Sequence, residues 1–171
     1  MYQRVSLGVG LVCCLMGCSG SSGPVLPKTV PVSGIVTLDG KPLSNAMVVF
    51  IPTGSTGGIG SSGYTDKEGK FELQTASGSV KTPGAPPGTY RVVANKFKNP
   101  DGTEYPADGK EGPATSGATE TLPMHISDYI QGGTPATIPP TGGELPIAFV
   151  STPGAGGPPG MPGMPGGMMP R

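Results

Sequence analysis

The sequence predicts an all-β protein: a single β-sandwich of Greek-key type, preceded by an export signal and followed by a disordered Gly/Pro/Met-rich tail. Three observations lead there. Apolar residues between 32 and 97 recur at every second position, the period of a half-buried strand. Glycine- and proline-rich turns break these runs at short intervals. No stretch of this region carries the i, i+3, i+4, i+7 apolar spacing of an amphipathic helix. Two sheets that each own one apolar face bury those faces against each other.

Composition separates the folded part from the rest. The 171 residues include 31 Gly and 22 Pro, a level at which an aperiodic chain is loop-rich or of low complexity. Residues 151–171 hold 13 of these in 21 positions, against 16 in 64 for residues 34–97. The tail is therefore the low-complexity part and the middle a turn-rich domain. The 11 basic residues balance 11 acidic ones, so no concentrated positive face is expected and no nucleic-acid partner.

The N-terminal elements come first. "MYQR" opens the chain with one Arg, and "VSLGVGLVCCLM" (5–16) is a run of about a dozen largely apolar residues. Spanning a bilayer takes about 20. A charged start, a short apolar run and small residues at its end describe an export signal, here 1–17. "LMGC" (15–18) resembles the bacterial lipobox, with aliphatic Leu15 at −3, small Gly17 at −1 and Cys18 as acceptor. A membrane peptidase needs a small residue before the scissile bond, and the thiol must be free to take a diacylglyceryl group as a thioether. Cys13 and Cys14 belong to the signal and leave with it. A zinc or redox site is the rival reading of a Cys cluster, but there is no C-x-x-C pair and no nearby His. The resemblance implies an N-acyl chain on Cys18 as well, and stable anchoring takes more than one acyl chain. "SGSSGPVLPKTVP" (19–31) completes a tether over 18–31, flexible first and then proline-stiffened.

The domain is expected over 32–150. In "VSGIVTLDGKPLSNAMVVFIP" (32–52), Val32, Gly34, Val36 and Leu38 share a face, and "DG" at 39–40 is a strong hairpin-turn signal. Pro42 keeps the turn region irregular; Ala46, Val48 and Phe50 resume the alternation. "TGSTGGIGSSG" (53–63) is a loop. "YTDKEGKFEL" (64–73) is a second hairpin about an Asp66–Gly69 turn, with Phe71 and Leu73 facing in. "ASGSVKTPGAPP" (76–87) is another loop. "GTYRVVANKF" (88–97) puts Tyr90, Val92 and Ala94 on one face and Val93 on the other. Residues 98–121 form a polar insertion over twenty residues long, expected to be disordered or loosely packed.

The motifs G-x-V-x-x-D-G-K-P-L-x-x-A-x-V-x-F-x-P (34–52), T-D-x-x-G-x-F-x-L (65–73) and P-G-x-Y-x-V (87–92) occur in order. Over a core of about 32–97 the chain resembles the carboxypeptidase regulatory-like domains of transthyretin-like, or prealbumin-like, type. Residues 122–149 are similar to the ending of small bacterial lipoproteins of this type, which implies a terminal strand, here "ELPIAFV" (144–150), pairing back onto the sandwich. Pro146 makes it an edge strand. The resemblance is to fold, and this fold hosts many roles.

Candidate chemistry is sparse. His125 is the only histidine; without Cys or clustered carboxylates it forms no metal site, and it reads as a strand or loop histidine. Ser127 and Asp128 follow it, but triads assemble across a fold rather than along a segment. A transthyretin-like hydrolase carries several His and Arg residues and a C-terminal "YRGS"; "TYRV" (89–92) is a superficial echo of that signature. "DKEG" (66–69) and "NPDG" (99–102) read as turns rather than calcium sites, which need six or more oxygen ligands. "GPPGMPGMPGG" (157–167) contains three G-X-Y triplets, too few for collagen winding. Its methionines are soft ligands for Cu(I), yet a Pro/Gly tail leaves their spacing otherwise unconstrained.

The expectation is a non-enzymatic lipoprotein of the bacterial cell envelope. It has no cofactor beyond the covalent lipid on Cys18, and Ser19 after the cysteine resembles the pattern for outer-membrane destination. Its partner would be an envelope protein or a glycan, met through loops or sheet edges, with a structural or adhesive role. The alternative is a secreted or periplasmic ligand-binding module without lipid; an enzyme of transthyretin-like hydrolase type is the remoter reading.

Overall fold

The computed structural model describes residues 28–77, 79–109 and 112–152. Leu15, Gly17 and Cys18, the signal, most of the tether and the tail from Pro153 onward lie outside the described residues. Among the described residues twelve strands and two short helices follow one another: β1 (Val32–Leu38), β2 (Lys41–Pro42), β3 (Met47–Pro52), β4 (Ser61–Tyr64), β5 (Lys70–Glu72), β6 (Gln74–Ser77), β7 (Val80–Pro83), β8 (Gly88–Asn95), β9 (Phe97–Lys98), α1 (Pro113–Ser116), β10 (Thr119–Glu120), α2 (Met124–Ser127), β11 (Thr134–Ile138) and β12 (Gly143–Phe149).

They form a sandwich of the expected all-β class. The larger sheet runs β11-β8-β3-β4-β6-β7 and is antiparallel throughout. In the smaller sheet β12 lies parallel to β1, while β2 and β5 share the other edge of β1, antiparallel to it. β9 and β10 form a separate ribbon.

The period-two residues fill the space between the sheets. Val32 and Val36 of β1 and Ile147 and Phe149 of β12 come from one side; Val48, Phe50, Tyr90, Val92, Ala94 and Ile138 come from the other. The Phe50 ring lies 5.8 Å from that of Phe71 and 6.0 Å from that of Tyr90, so three aromatic side chains meet near the middle. Each large apolar side chain buried this way stabilises the fold by about 1.5–3 kcal/mol. Ser61 and Thr75 are buried among them, bonded to each other at 2.7 Å, and Thr75 Oγ1 donates to the Gly84 carbonyl at 2.8 Å.

The "DG" turn forms as expected. Asp39 and Gly40 have φ of 51° and 76°, the positive pair that a two-residue type I′ turn requires. It pairs β1 with the two residues of β2, Pro42 included, and the chain then leaves for the other sheet. The Asp39 carboxylate also accepts the Ser151 amide at 2.9 Å; that bond lowers its pKa. β12 is an edge strand with Pro146 opposite Ile35, and its parallel sense was not foreseen.

Four expectations need correction. The segment 64–73 is no hairpin within one sheet: β4 lies in the larger sheet, β5 in the smaller, and the Asp66–Gly69 turn carries the chain between them. Alternation tells which face a residue takes, not which strand becomes its neighbour. Residues 76–87 are not a loop, because β6 and β7 form an edge hairpin through Gln74–Ser77 and Val80–Pro83. Among its described residues the excursion 98–121 is not loose: it carries the β9–β10 ribbon, α1 and the buried Tyr105. His125 sits in a helical turn rather than a strand or loop. The sandwich also begins slightly ahead of Val32, since Val30 bridges Ala85 through bonds of 2.9 and 3.0 Å.

A cleft on the outer face of the larger sheet

Period two also determines what points away from the core. On β3 Val48 and Phe50 face in, so Met47 and Val49 face out; on β4 Tyr64 does, opposite Met47. On β8 Asn95 faces out, also opposite Met47. Val93 points the same way yet is fully buried, since the turn around Gly133 covers it: a Cβ on Gly133 would stand 2.9 Å from Val93 Cγ1. The outer face of this sheet is therefore partly roofed, by the excursion after β8 on one side and by α2 with the turn that follows it on the other.

Asn45 fastens the first roof element. Its φ of 51° is one that Asn tolerates better than most residues. Its Nδ2 donates to the Tyr105 carbonyl at 2.9 Å and its Oδ1 accepts the Ala107 amide at 3.0 Å. Tyr105 packs edge-on against Phe97, ring centres 6.4 Å apart. Gly109 is small where it must be, because a Cβ there would lie 2.6 Å from the Tyr105 hydroxyl. Lys96 Nζ reaches both the Ser44 carbonyl and Glu104 Oε1 at 2.8 Å. The ammonium beside it holds the Glu104 carboxyl below the ordinary glutamate range.

Glu120 and Asn95 fasten the second. Glu120 Oε1 accepts the amides of Lys96, Thr121 and Leu122, each at 2.9 Å, and Oε2 accepts Asn95 Nδ2 at 2.8 Å. Asn95 Nδ2 also reaches the Ser127 carbonyl at 3.3 Å. The Tyr129 hydroxyl donates to Asn95 Oδ1 at 2.6 Å, and burial raises its pKa, with Glu120 adding to the effect. Arg91 braces the same turn from below, its guanidinium donating to the Tyr129 and Ile130 carbonyls.

Between the two lies a cleft of about 260 Å³. Met47, Tyr64, Phe97, Tyr105 and Tyr129 supply its apolar walls, and the amides of Asn45 and Asn95 its floor. Tyr64 and Tyr129 are about half exposed. A larger groove of about 610 Å³ runs past Ser33, Lys70, Glu72 and Glu144 along the sheet edge, but it is open and mostly polar, without aromatic walls on both sides. The smaller cleft has the concave, ring-lined character of a recognition site.

The residues singled out from sequence lie elsewhere. His125 Nε2 is 2.8 Å from the Val150 carbonyl, so it donates there. Ser127 Oγ points to the Pro123 carbonyl at 3.3 Å. Asp128 Oδ1 takes the Ile130 and Gln131 amides at 2.6 and 2.8 Å. These bonds, the Gln131 one foremost, hold its carboxyl below the usual range. The three are neighbours in sequence and are not brought together as a triad. Asp66 and Asp101 close their own turns: Asp66 Oδ1 accepts the Glu68 and Lys70 amides, and Asp101 Oδ1 the Thr103 amide. Among the described residues no cluster of three or more His, Cys, Asp or Glu is placed to hold a metal ion, and no helix is long and apolar enough to cross a membrane.

The cleft itself was missed at the level of sequence. A faint signal existed: Met47, Tyr64 and Asn95 occupy the outward phase of strands whose inward phase is apolar, where solvated polar residues are the norm. Comparison with protein-family models, curated proteins and solved structures finds no match to this chain.

Proposed function

We propose that this chain is a non-enzymatic, lipid-anchored protein of the bacterial cell envelope, tethered through Cys18, whose β-sandwich binds an extended peptide segment of an envelope partner in the aromatic cleft. The observation that carries the binding reading is how the cleft's polar groups are used. Among the described residues that line it, the Asn45 and Asn95 amides and the Tyr129 hydroxyl each hold another part of the fold, so what the walls mainly offer a ligand is ring faces and a thioether. A sugar needs hydrogen-bonding groups aimed at its hydroxyls; an apolar peptide side chain needs the walls alone. A volume of about 260 Å³ lies below the range of sites for drug-sized molecules and suits one or two side chains.

The anchoring reading is supported by "LMGC" at 15–18 behind a short apolar run, and by the resemblance of residues 122–149 to the ending of small bacterial lipoproteins. In a bacterial host Cys18→Ser should abolish acyl labelling and release the protein from the membrane fraction. Retention of the unlabelled variant in membranes would overturn the anchor.

A further inference from the structure

We propose that four prolines close the open edges of both sheets against strand addition, so that the sandwich stays monomeric and is met by partners through a face or a loop rather than an edge. A strand with no neighbour on one side presents a row of unpaired N–H and C=O groups there, and such a row is a template for another chain. The residues that present it follow from the hydrogen bonds on the paired side, because alternate residues of a strand bond to opposite sides.

On β12, Gly143 N–H donates to the Pro31 carbonyl and the Phe149 carbonyl accepts Asp39 N–H, both at 2.9 Å. The odd-numbered residues therefore bond β1, and Glu144, Pro146 and Ala148 face outward. On β11 the phase is set through β8. The Thr89 carbonyl accepts Thr53 N–H at 2.9 Å on the β3 side, so the even-numbered residues of β8 bond β11, and Pro135 and Thr137 face outward. On β7, Gly84 N–H donates to the Leu73 carbonyl at 2.7 Å, which leaves Lys81 and Pro83 outward. On β2, Leu43 N–H donates to the Val36 carbonyl at 2.9 Å, which leaves Pro42 outward. Each of these edge strands thus carries a proline where an N–H would point away from the sheet, and all four prolines are exposed. Proline has no N–H to give, and its ring fills the space an incoming carbonyl would take. One carbonyl buried without its donor weakens association by about ten- to hundredfold.

The remaining edge, β5, is closed by the chain itself. Leu73 N–H bonds the Val32 carbonyl at 2.9 Å and Val36 N–H the Gly69 carbonyl at 2.8 Å, so Lys70 and Glu72 face outward. Lys70 N–H donates to Asp66 Oδ1 at 2.8 Å, and the Lys70 carbonyl accepts Asp66 N–H at 2.9 Å. Gly63 of β4 passes so close that a Cβ there would lie 2.4 Å from the Glu72 carbonyl oxygen. Among the described strands with neighbours on both sides, the one proline is Pro52, the last residue of β3, beyond the Phe50–Ser61 pair where its pairing with β4 ends. Mere tolerance of proline at an edge predicts no change when it is replaced; a barrier predicts association.

The test uses the full chain bearing Cys18→Ser, with Pro83→Val, Pro135→Val or Pro146→Val added singly, and Pro140→Val, exposed in the connection between β11 and β12, as the control. Each is read by sedimentation velocity over a wide concentration range and by hydrogen exchange of the edge amides. The parent and the control are expected to stay monomeric. Pro146→Val restores the donor in the middle of the seven-residue β12 and is expected to self-associate about tenfold or more tightly than the parent, with slowed exchange at Glu144 and Ala148. Pro83→Val and Pro135→Val are expected to move the same way. A Pro146→Val chain as monomeric as the parent, or one that associates without protecting those amides, would overturn the proposal, as would a parent whose edge amides a second copy already protects. If Pro146→Val does not fold, Pro135→Val decides by the same two readings, with Thr137 as the reporting amide. Failure of all three variants to fold would mean that these positions do not face outward, and would overturn it as well.

Discussion

Gly34 lies opposite Leu145 of β12, and Gly34→Ala should loosen that strand. A Cβ at this position would lie 1.9 Å from the Leu145 carbonyl oxygen and 2.9 Å from Phe71 Cε1. Even close C–H···O contacts keep carbon and oxygen about 3.3 Å apart, so β12 must retreat by about 1.4 Å. It cannot do so locally, because β12 is paired with β1 over seven residues and carries Ile147 and Phe149 into the core. If the strand stays and strains, overpacking costs about 1–3 kcal/mol. If it detaches, the loss of two buried side chains costs about 3–6 kcal/mol. The assay is urea unfolding followed by circular dichroism. With a slope of about 1–3 kcal/mol per molar, a loss of about 3 kcal/mol lowers the midpoint by about 1–3 M. Gly40→Ala is the comparison: its φ is +76° and nothing lies within 4 Å of the added carbon, so only the left-handed backbone penalises it, by about 1–2 kcal/mol. A midpoint for Gly34→Ala equal to that of the parent would refute the account of how β12 is seated.

Three other outcomes are expected. Asn45→Ala removes the two bonds that hold residues 105–107 and leaves a strained φ, so the sandwich should lose about 1–3 kcal/mol and the 98–121 excursion should become sensitive to protease; Asn45→Gly, which relieves the strain alone, should recover stability but not protease resistance. Tyr129→Phe deprives Asn95 Oδ1 of its donor and should cost about 1–2 kcal/mol, read as a lower thermal midpoint with an unaltered circular dichroism spectrum. Glu104 titrates below its ordinary value because Lys96 holds its charged form; a carboxylate depressed in the folded state contributes stability that is present above the ordinary glutamate pKa and is lost as pH falls through the depressed one. Carboxyl NMR should place the Glu104 midpoint low in the parent and return it toward the ordinary range in Lys96→Met; identical midpoints would remove the ion pair from the account.

What could be read from sequence was whatever a local rule controls. The alternation of Val32, Gly34 and Val36, of Val48 and Phe50, and of Tyr90, Val92 and Ala94 gave the core faces, because period two admits one inward set. The Asp39–Gly40 turn was legible because few residue pairs accept two positive φ values. Partnership was not legible: nothing in "YTDKEGKFEL" says that Tyr64 and Phe71 belong to different sheets, and nothing in "ELPIAF" says that it runs parallel to β1. The hairpin of Gln74–Ser77 and Val80–Pro83 was hidden because its inward residue is Thr75, satisfied by Ser61 and by the Gly84 carbonyl, so no apolar alternation marks it. The excursion looked loose for a similar reason. Its order comes from Asn45, fifty to sixty residues upstream, and from single residues such as Tyr105 and Glu120 rather than from an apolar pattern. The cleft depends on all of these non-local contacts at once.

The measurement that bears most directly on an envelope protein tethered through Cys18 is the intact mass of the mature N-terminus after expression of the full chain in a bacterial host. The account predicts a chain beginning at residue 18, without Cys13 and Cys14, heavier than its peptide mass by a diacylglyceryl group in thioether linkage and an N-acyl chain, and found with the membranes. A soluble product with an unmodified Cys18 thiol, or one cleaved beyond that residue, would contradict it.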